Sequence, residues 1–283
     1  MIGLYALVFI TFTSFRHYNF HTQTWDMGAF VQTMWNTTQG RIMQNNLEEA
    51  KNTLGVHFSP WLFVLVPGYM TFQSPYYLLV VQSVALALGA WPLYLFAYKR
   101  LQNRKIAFLI AASYLLFPAL HWINTYDFHA VSFAIPLMLA AFYFLEVKAY
   151  RWMYVFLALA ASTREDVILV VLFFGIFLLL QKDKALRRHG LIIAACSLLY
   201  FIVAIKIFMP ALGGGLIRLD RYEHLGSSIT EIALNLFRNP MLFVRTITTV
   251  PKMVYVLWLF VPVAFLPLFS WRPLVLLVPG LLE

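Results

Sequence analysis

Several acidic side chains lie where they could take part in proton transfer. Asp26 stands at the start of an amphipathic stretch, and Glu165 and Asp166 are adjacent in a short turn between two apolar runs. A carboxylate held in such a place can act as a general base that removes a proton from a hydroxyl group. It can also cap a helix by accepting hydrogen bonds from the first backbone N–H groups. For Asp26 the residue type and position favour the cap, and the two roles are compatible.

The turn that carries Glu165 and Asp166 admits two interpretations. The structural one pairs Arg164 with an acid and lets the acids cap the apolar helix that follows. The functional one rests on the cost of ionisable groups close to a membrane interior, where they are usually paired or part of a site. Two adjacent acids exceed what a cap needs, so both interpretations carry equal weight. The functional one makes Glu165 and Asp166 catalytic and Arg164 a substrate contact.

Histidines accompany these acids. Asp127 and His129 lie two residues apart, and such a pair can share a proton or a metal ion, although a polar loop is the commoner use. His57 precedes Phe58-Ser59-Pro60, where a hydrogen-bonded loop histidine is more usual than a ligand. We therefore expect substrate contacts from His57, Asp127 and His129, and leave a divalent metal cofactor open. Its candidate ligands are Asp26, Asp127, His129 and Glu165.

Arginines lie further along the chain. Arg218 and Arg221 could hold a phosphate group, which guanidinium groups bind through paired hydrogen bonds. Attraction to lipid head groups is the simpler explanation for each arginine taken singly.

The elements that must position these residues are apolar. Of 283 residues, 61% are hydrophobic and 12% are charged, whereas soluble domains carry about 25% charged residues. This composition excludes a disordered chain and almost any soluble enzyme, and it predicts an all-α polytopic membrane protein embedded in a lipid bilayer. The net charge of +9 does not indicate nucleic-acid binding, because Lys and Arg lie mostly at the ends of apolar runs.

The apolar runs predict about eight or nine membrane crossings within a single transmembrane domain, residues 1–283. Residues 16–73 and 210–252 form two outer segments with amphipathic helices on the membrane surface. The second segment opens with Gly213-Gly214-Gly215, which we expect to be flexible, and its Ser228 and Glu231 match a capping box. The last run stops at Glu283 without a polar flank, so we expect a chain truncated at its C-terminus.

The distribution of basic residues predicts the orientation. Clusters at residues 99–105, 148–151, 182–188 and 272 alternate with connections that lack them, as cytoplasmic loops do. This alternation requires that Trp61–Phe72 does not cross the membrane. The expected location is then the cell membrane, with the candidate acids and histidines on the outer face.

These motifs together resemble a prokaryotic family of predicted membrane proteins, the domain of unknown function 2079. The resemblance is carried by Trp25-Asp26-Met27-Gly28-Ala29-Phe30, Gly55-Val56-His57-Phe58-Ser59-Pro60, Phe117-Pro118-Ala119, Asp127-Phe128-His129 and Arg164-Glu165-Asp166-Val167. Members often have an acid near position 31, where this chain has Val31, so Asp26 stands alone on its helix.

That family is similar in outline to the GT-C glycosyltransferases, in which an acid in an outer first loop is essential. The resemblance implies that Asp26 matches this acid and that sugar passes from a polyprenyl-phosphate carrier to an acceptor outside the membrane. Two other functions stay open. A transporter or flippase is disfavoured because no broken helix and no charge pair at the membrane midplane is apparent. A non-catalytic scaffold would not need its polar groups to converge, so the convergence of Asp26, His57, Asp127 and Glu165 is the deciding observation.

Overall fold

A computed structural model describes residues 1–48, 50–215, 223–270 and 274–282. Over these residues the chain is helical and contains no β-strand, which confirms the all-α prediction. The α-helices are α1 (Ile2–Tyr18), α2 (Thr24–Thr38), α3 (Thr53–Val56), α4 (Leu62–Thr71), α5 (Pro75–Leu88), α6 (Ala90–Leu101), α7 (Arg104–Leu115), α8 (Pro118–Tyr126), α9 (Ala134–Glu146), α10 (Tyr150–Ala161), α11 (Glu165–Leu179), α12 (Lys184–Val203), α13 (Met209–Ala211), α14 (Ile229–Arg238), α15 (Pro240–Ile247), α16 (Val250–Phe260) and α17 (Val278–Leu282).

Side-chain caps determine where several helices begin. Ser74 caps α5 ahead of Pro75, and Asn103 and Asp183 cap α7 and α12. Their oxygens accept hydrogen bonds from N–H groups that have no partner inside the helix. Ser228 caps α14 as predicted, but the carboxylate of Glu231 accepts from Ser227 and not from the cap residue itself.

Fewer helices are long enough to cross a membrane than the eight or nine that we expected. Among the described residues, Pro75–Leu101 and Lys184–Ala211 qualify by length and composition, and two bent helix pairs raise the number to four at most. The physical reason is length. The apolar runs at Trp152–Ser162 and Val167–Leu180 form helices of 12 and 15 residues, and a crossing needs about 20.

One of the bent pairs corrects the expectation that no broken helix occurs. Helices α7 and α8 meet at an angle of 42°, and the break falls just before Pro118. Proline cannot donate the backbone hydrogen bond that a continuous helix needs at this point. The bend directs the polar end of α8 toward the first outer segment, where Arg16 donates to the backbone oxygen of Tyr126.

The amphipathic stretch within residues 16–73 forms a helix. Helix α2 covers the amphipathic stretch and buries Met27, Ala29 and Met34. The short helix α4 packs beside it with Leu62, Leu65 and Tyr69 buried, and its 10 residues agree with a segment that does not cross the membrane. Both helices join one continuous core with α9, α10 and α11.

Two of the three glycines after α13, Gly214 and Gly215, contact the segment that precedes His57, a contact that the expectation of a flexible linker did not include. The N–H group of Gly215 donates to the backbone oxygen of Gly55 at 3.2 Å. A Cβ atom added to Gly214 would overlap the backbone of Gly55, so only glycine allows this approach. The glycines therefore fasten the end of the α12–α13 region to the segment that carries His57.

Helices α11 and α12 cross at two glycines. A Cβ atom on Gly175 would lie 2.7 Å from the backbone nitrogen of Ala194 and 2.9 Å from the oxygen of Gly190. Small residues at such crossings let two helix backbones approach closely, and the close packing stabilises the pair.

We expect Gly175→Ala to lower the free energy of unfolding by about 1–3 kcal/mol, because backbone atoms cannot move aside for the added methyl group. Gly3→Ala is the matched control, since Gly3 is also helical but has open space around it. Thermal unfolding in detergent measures both variants. Equal midpoints for the two variants would contradict the close crossing.

Candidate functional site

Six segments of the chain come together around one cavity of about 390 Å³ beneath α2. They are the start of α2, the loop after it, the loop after α3, the end of α8, the short helix after it and the turn between α10 and α11. The polar residues that line the cavity are Asp26, Glu48, His57, Ser59, Tyr126, His129, Arg164, Glu165 and Asp166. Six of the predicted site residues therefore converge, although the sequence separates the first from the last by more than a hundred positions.

Asp26 lies in the first turn of α2, and its carboxylate lines the cavity. The N-cap residue is Gln23, so the prediction that Asp26 caps this helix was wrong. The hydroxyl of Tyr126 donates to Oδ2 of Asp26 at 3.2 Å. The other oxygen, Oδ1, lies 3.9 Å from Nε2 of His129, which is beyond hydrogen-bond distance. This oxygen is placed to accept a hydrogen bond from a bound molecule.

His57 and Glu165 form a half-buried pair across the cavity wall. Nδ1 of His57 lies 2.9 Å from Oε1 of Glu165, and the N–H group of Phe58 donates to Oε2 at 2.9 Å. An ionised carboxylate only accepts hydrogen bonds, so Nδ1 is the donor and Nε2 keeps its lone pair. Both oxygens of Glu165 are therefore engaged in holding His57 and the backbone of Phe58, and Nε2 of the imidazole is the atom of this pair that is left to contact a bound molecule.

Arg164 and Asp166 form the ion pair that the structural interpretation of this turn predicts. Nε of Arg164 donates to Oδ1 of Asp166 at 2.7 Å, and a second guanidinium nitrogen contacts Oδ2. Oδ1 also accepts from the N–H group of Val167, which helps to start α11. The ion pair with Arg164 and the hydrogen bond from Val167 explain the position of the Asp166 carboxylate. Glu165 instead contacts His57 and Phe58, which lie more than a hundred residues earlier in the chain.

Asp127 is the one predicted site residue within the described part of the chain that does not line the cavity. It is 2% exposed, and its Oδ2 accepts from the N–H group of Gln23 at 2.8 Å. No described residue forms a hydrogen bond to Oδ1. Burial raises the pKa of this carboxyl, and the hydrogen bond from Gln23 together with nearby Arg16 offsets the rise only in part. Asp127 thus holds the beginning of α2 and positions Asp26 from behind.

Gln82 of α5 clamps the connection that carries His129. Its amide nitrogen donates to the backbone oxygen of Asp127 at 3.0 Å, and its amide oxygen accepts from the N–H group of His129 at 2.8 Å. Burial lowers the pKa of the His129 imidazole, and the opposing effect of Asp26 is smaller. His129 is therefore neutral at neutral pH, and it does not neutralise Asp26.

The sequence did not single out several residues that shape the site. Glu48 lines the cavity and accepts from Asn45 at 2.9 Å, but its position in a polar loop did not distinguish it from other exposed acids. Trp25 and Phe30 supply apolar walls, and Gln82 acts through the backbone. The only signal for Gln82 in the sequence was its place as a polar residue in an apolar run. A glutamine that is buried there needs hydrogen-bond partners.

The four candidate metal ligands do not meet at one point. Within the described ranges, no group of three or more His, Cys, Asp and Glu side chains has the geometry of a metal site. Asp127 faces the backbone of Gln23, and Glu165 is bound through both oxygens. Arg218 and Arg221 fall outside the described residues.

The cavity is electronegative. Its lining includes the carboxylates of Asp26, Glu48, Glu165 and Asp166 and one guanidinium group, that of Arg164. Such a lining favours hydroxyl or amine donors and disfavours an anion such as phosphate, because like charges repel strongly in a partly buried space.

We expect the stability of the protein to depend on the ionisation of Asp127. A raised carboxyl pKa means that the folded state holds this proton more tightly than the unfolded state. Stability therefore falls as pH rises above the ordinary value of 3.8 and through the raised pKa. Asp127→Asn should flatten this part of the pH dependence, whereas Asp183→Asn at an exposed helix cap should not. Thermal unfolding at a series of pH values from acidic to neutral measures this dependence. If the slope of the unfolding midpoint against pH were the same in Asp127→Asn as in the native protein, a raised pKa of Asp127 would be contradicted.

Among known proteins, neither the curated proteins nor the solved structures give a match. The family described as "Predicted membrane protein (DUF2079)" matches residues 16–282, a range that contains every residue of the cavity lining. A match over nearly the whole length leaves one conclusion: the chain belongs to the DUF2079 family of predicted membrane proteins.

Proposed function

We propose that the protein is a GT-C-like glycosyltransferase of the cell membrane. It moves a sugar from a polyprenyl-phosphate donor to an acceptor on the outer face. The observation that carries the proposal is the convergence of Asp26, His57, His129 and Glu165 on one cavity beneath α2. A scaffold has no need for such convergence, because a binding surface does not require several ionisable groups to face one small volume.

Asp26 is the proposed general base. The acceptor hydroxyl donates to Oδ1, while Tyr126 holds Oδ2 and thereby the orientation of the carboxylate. As the acceptor oxygen forms its bond to the anomeric carbon, its proton passes to Asp26. The bond between that carbon and the phosphate oxygen breaks, and the polyprenyl phosphate leaves with the electron pair. Base catalysis of this kind contributes on the order of 10²–10⁴-fold in rate.

His57 and Glu165 are the proposed orienting pair. Glu165 fixes the imidazole so that Nε2 can accept a second hydroxyl of the acceptor, which limits the ways in which the acceptor can bind. Glu165 is thus a positioning residue in this proposal, acting through His57 and through the backbone of Phe58.

The phosphate of the donor is proposed to bind at the edge of the cavity and not inside it. The four carboxylates of the lining would repel it, and Arg164 is already engaged with Asp166. Basic residues of the second outer segment are the natural partners, with Arg218 and Arg221 as the proposed phosphate ligands. Exposed Arg238 and Arg245 on α14 and α15 belong to the same segment.

We expect Asp26→Asn to reduce sugar transfer by about 10²–10⁴-fold, because an amide cannot take the proton. The measurement is transfer of labelled sugar from a polyprenyl-phosphate donor by purified full-length protein. Asp183→Asn makes the same chemical change at the cap of α12, where asparagine serves as well as aspartate, and should keep full activity. Full activity of Asp26→Asn would remove Asp26 as the base.

Glu165→Gln tests the orienting pair. Glutamine can accept from the N–H group of Phe58 through its oxygen, but its amide nitrogen can only donate to Nδ1 of His57. The imidazole proton then lies on Nε2, which can no longer accept a hydroxyl of the acceptor, so we expect kcat to fall about tenfold or more with little change in KM for the donor. An unchanged kcat together with a lower unfolding midpoint would show that Glu165 is only structural.

Transport is the second candidate, and the bend between α7 and α8 is the observation that favours it. Broken helices line the substrate sites of many transporters, and the end of α8 reaches the cavity through Tyr126. Proton-coupled uptake into proteoliposomes that Glu165→Gln abolishes, in the absence of sugar transfer by the native protein, would favour transport over the proposed transferase.

A further inference from the structure

A second cavity lies at the opposite end of α1 from the site. It has a volume of about 920 Å³ and is bounded by the start of α1 and by the α6–α7 hairpin. We call it the basal groove. Its size is at the upper end of the range of about 300–1,000 Å³ that is usual for small-molecule sites.

The walls of the basal groove are apolar and open. Trp91 of α6 is 56% exposed, and Phe108 and Leu109 of α7 are 52% and 63% exposed. In a soluble protein a patch of this kind would favour aggregation or a protein partner. In a membrane protein the surrounding solvent is lipid, so these side chains are suited to contact an acyl chain.

The mouth of the basal groove is basic. Arg104 and Lys105 stand in the first turn of α7, directly after the cap residue Asn103. Neither forms an ion pair with any described residue, whereas Arg100 on the same hairpin is paired with Glu146 at 3.0 Å. The guanidinium group of Arg104 lies 5.9 Å from the centre of the Tyr98 ring, and the residue is exposed. The N-terminal end of α7 adds a partial positive charge at the same place.

We infer that the basal groove binds one anionic phospholipid. The phosphate group contacts Arg104 and Lys105, and an acyl chain lies along Trp91, Phe108 and Leu109. A zwitterionic lipid is disfavoured because its ammonium group would approach the same two cations. The inference rests on charge and apolar surface at a place remote from Asp26, and it stands whether the protein is a transferase or a transporter.

The groove also fits the side of the membrane that the basic clusters predict. Anionic lipids are concentrated in the cytoplasmic leaflet, where each nearby Lys or Arg strengthens attachment. The basal groove would then anchor the α6–α7 hairpin on that side, while the cavity with Asp26 opens on the other.

Native mass spectrometry of the full chain, with lipids added to the detergent, tests the inference. The probes are phosphatidylglycerol and phosphatidylcholine of equal chain length. We expect the native protein to retain one phosphatidylglycerol in preference to phosphatidylcholine. In the double variant Arg104→Gln with Lys105→Gln, we expect this preference to be about tenfold weaker. Arg187→Gln with Arg188→Gln is the matched control, because it removes the same charge from exposed positions on α12 outside the groove and should retain the preference.

A second variant tests the acyl-chain part of the groove without removing any charge. Gly3 lines the groove and has open space around it, so Gly3→Leu fills part of the groove without a clash. We expect it to weaken retention of the lipid while the unfolding midpoint in lipid-free detergent stays the same or rises. Unchanged retention in Gly3→Leu, or equal losses in the two double variants, would overturn the inference and indicate general attraction to surface charge.

Discussion

The arrangement of the site depends on the carboxylate of Glu165. Its two oxygens join the α10–α11 turn to His57 and to the backbone of Phe58, which are more than a hundred residues earlier in the chain. Its side chain is 14% exposed, so leaving either bond unmade would strand a polar group in a poorly hydrated place. This interaction ties the first outer segment to the core helices, and the cavity exists because the two are held together.

The opposite wall of the cavity is held by backbone contacts. Gln82 clamps the connection between Asp127 and His129, and Asp127 in turn holds the N–H group of Gln23 at the start of α2. Buried polar groups of this kind rigidify a core when their bonds are made. Asp26 therefore sits on a helix whose start is attached to Gln82 of α5 through Asp127, while its carboxylate lines the cavity.

The charges of the protein are separated in space. The cavity is rich in carboxylates and poor in cations, whereas the basal groove carries unpaired Arg104 and Lys105 on an apolar wall, as far as the described residues show. A carboxylate-lined cavity suits a hydroxyl-bearing acceptor, and a basic groove suits a lipid phosphate. The net charge of +9 thus has more than one cause, and it does not describe either site.

Much of the fold and part of the site could be predicted from residue types alone. Continuous apolar runs imply helices in a membrane, and the periodicity after Asp26 and the cap at Ser228 predict two further helices, because these signals are local. The Arg164–Asp166 pair is local as well. The number of membrane crossings was overestimated because the hydropathy of an apolar run does not show where the helix within it is interrupted or ends.

What only the tertiary structure decided is which residues meet. It brought His57 to Glu165, placed Asp127 behind the cavity, added Glu48 and packed Gly214 against Gly55. Such contacts depend on how helices separated by many residues pack and bend. Sequence spacing determines which groups share a helix face, but only packing determines which faces touch.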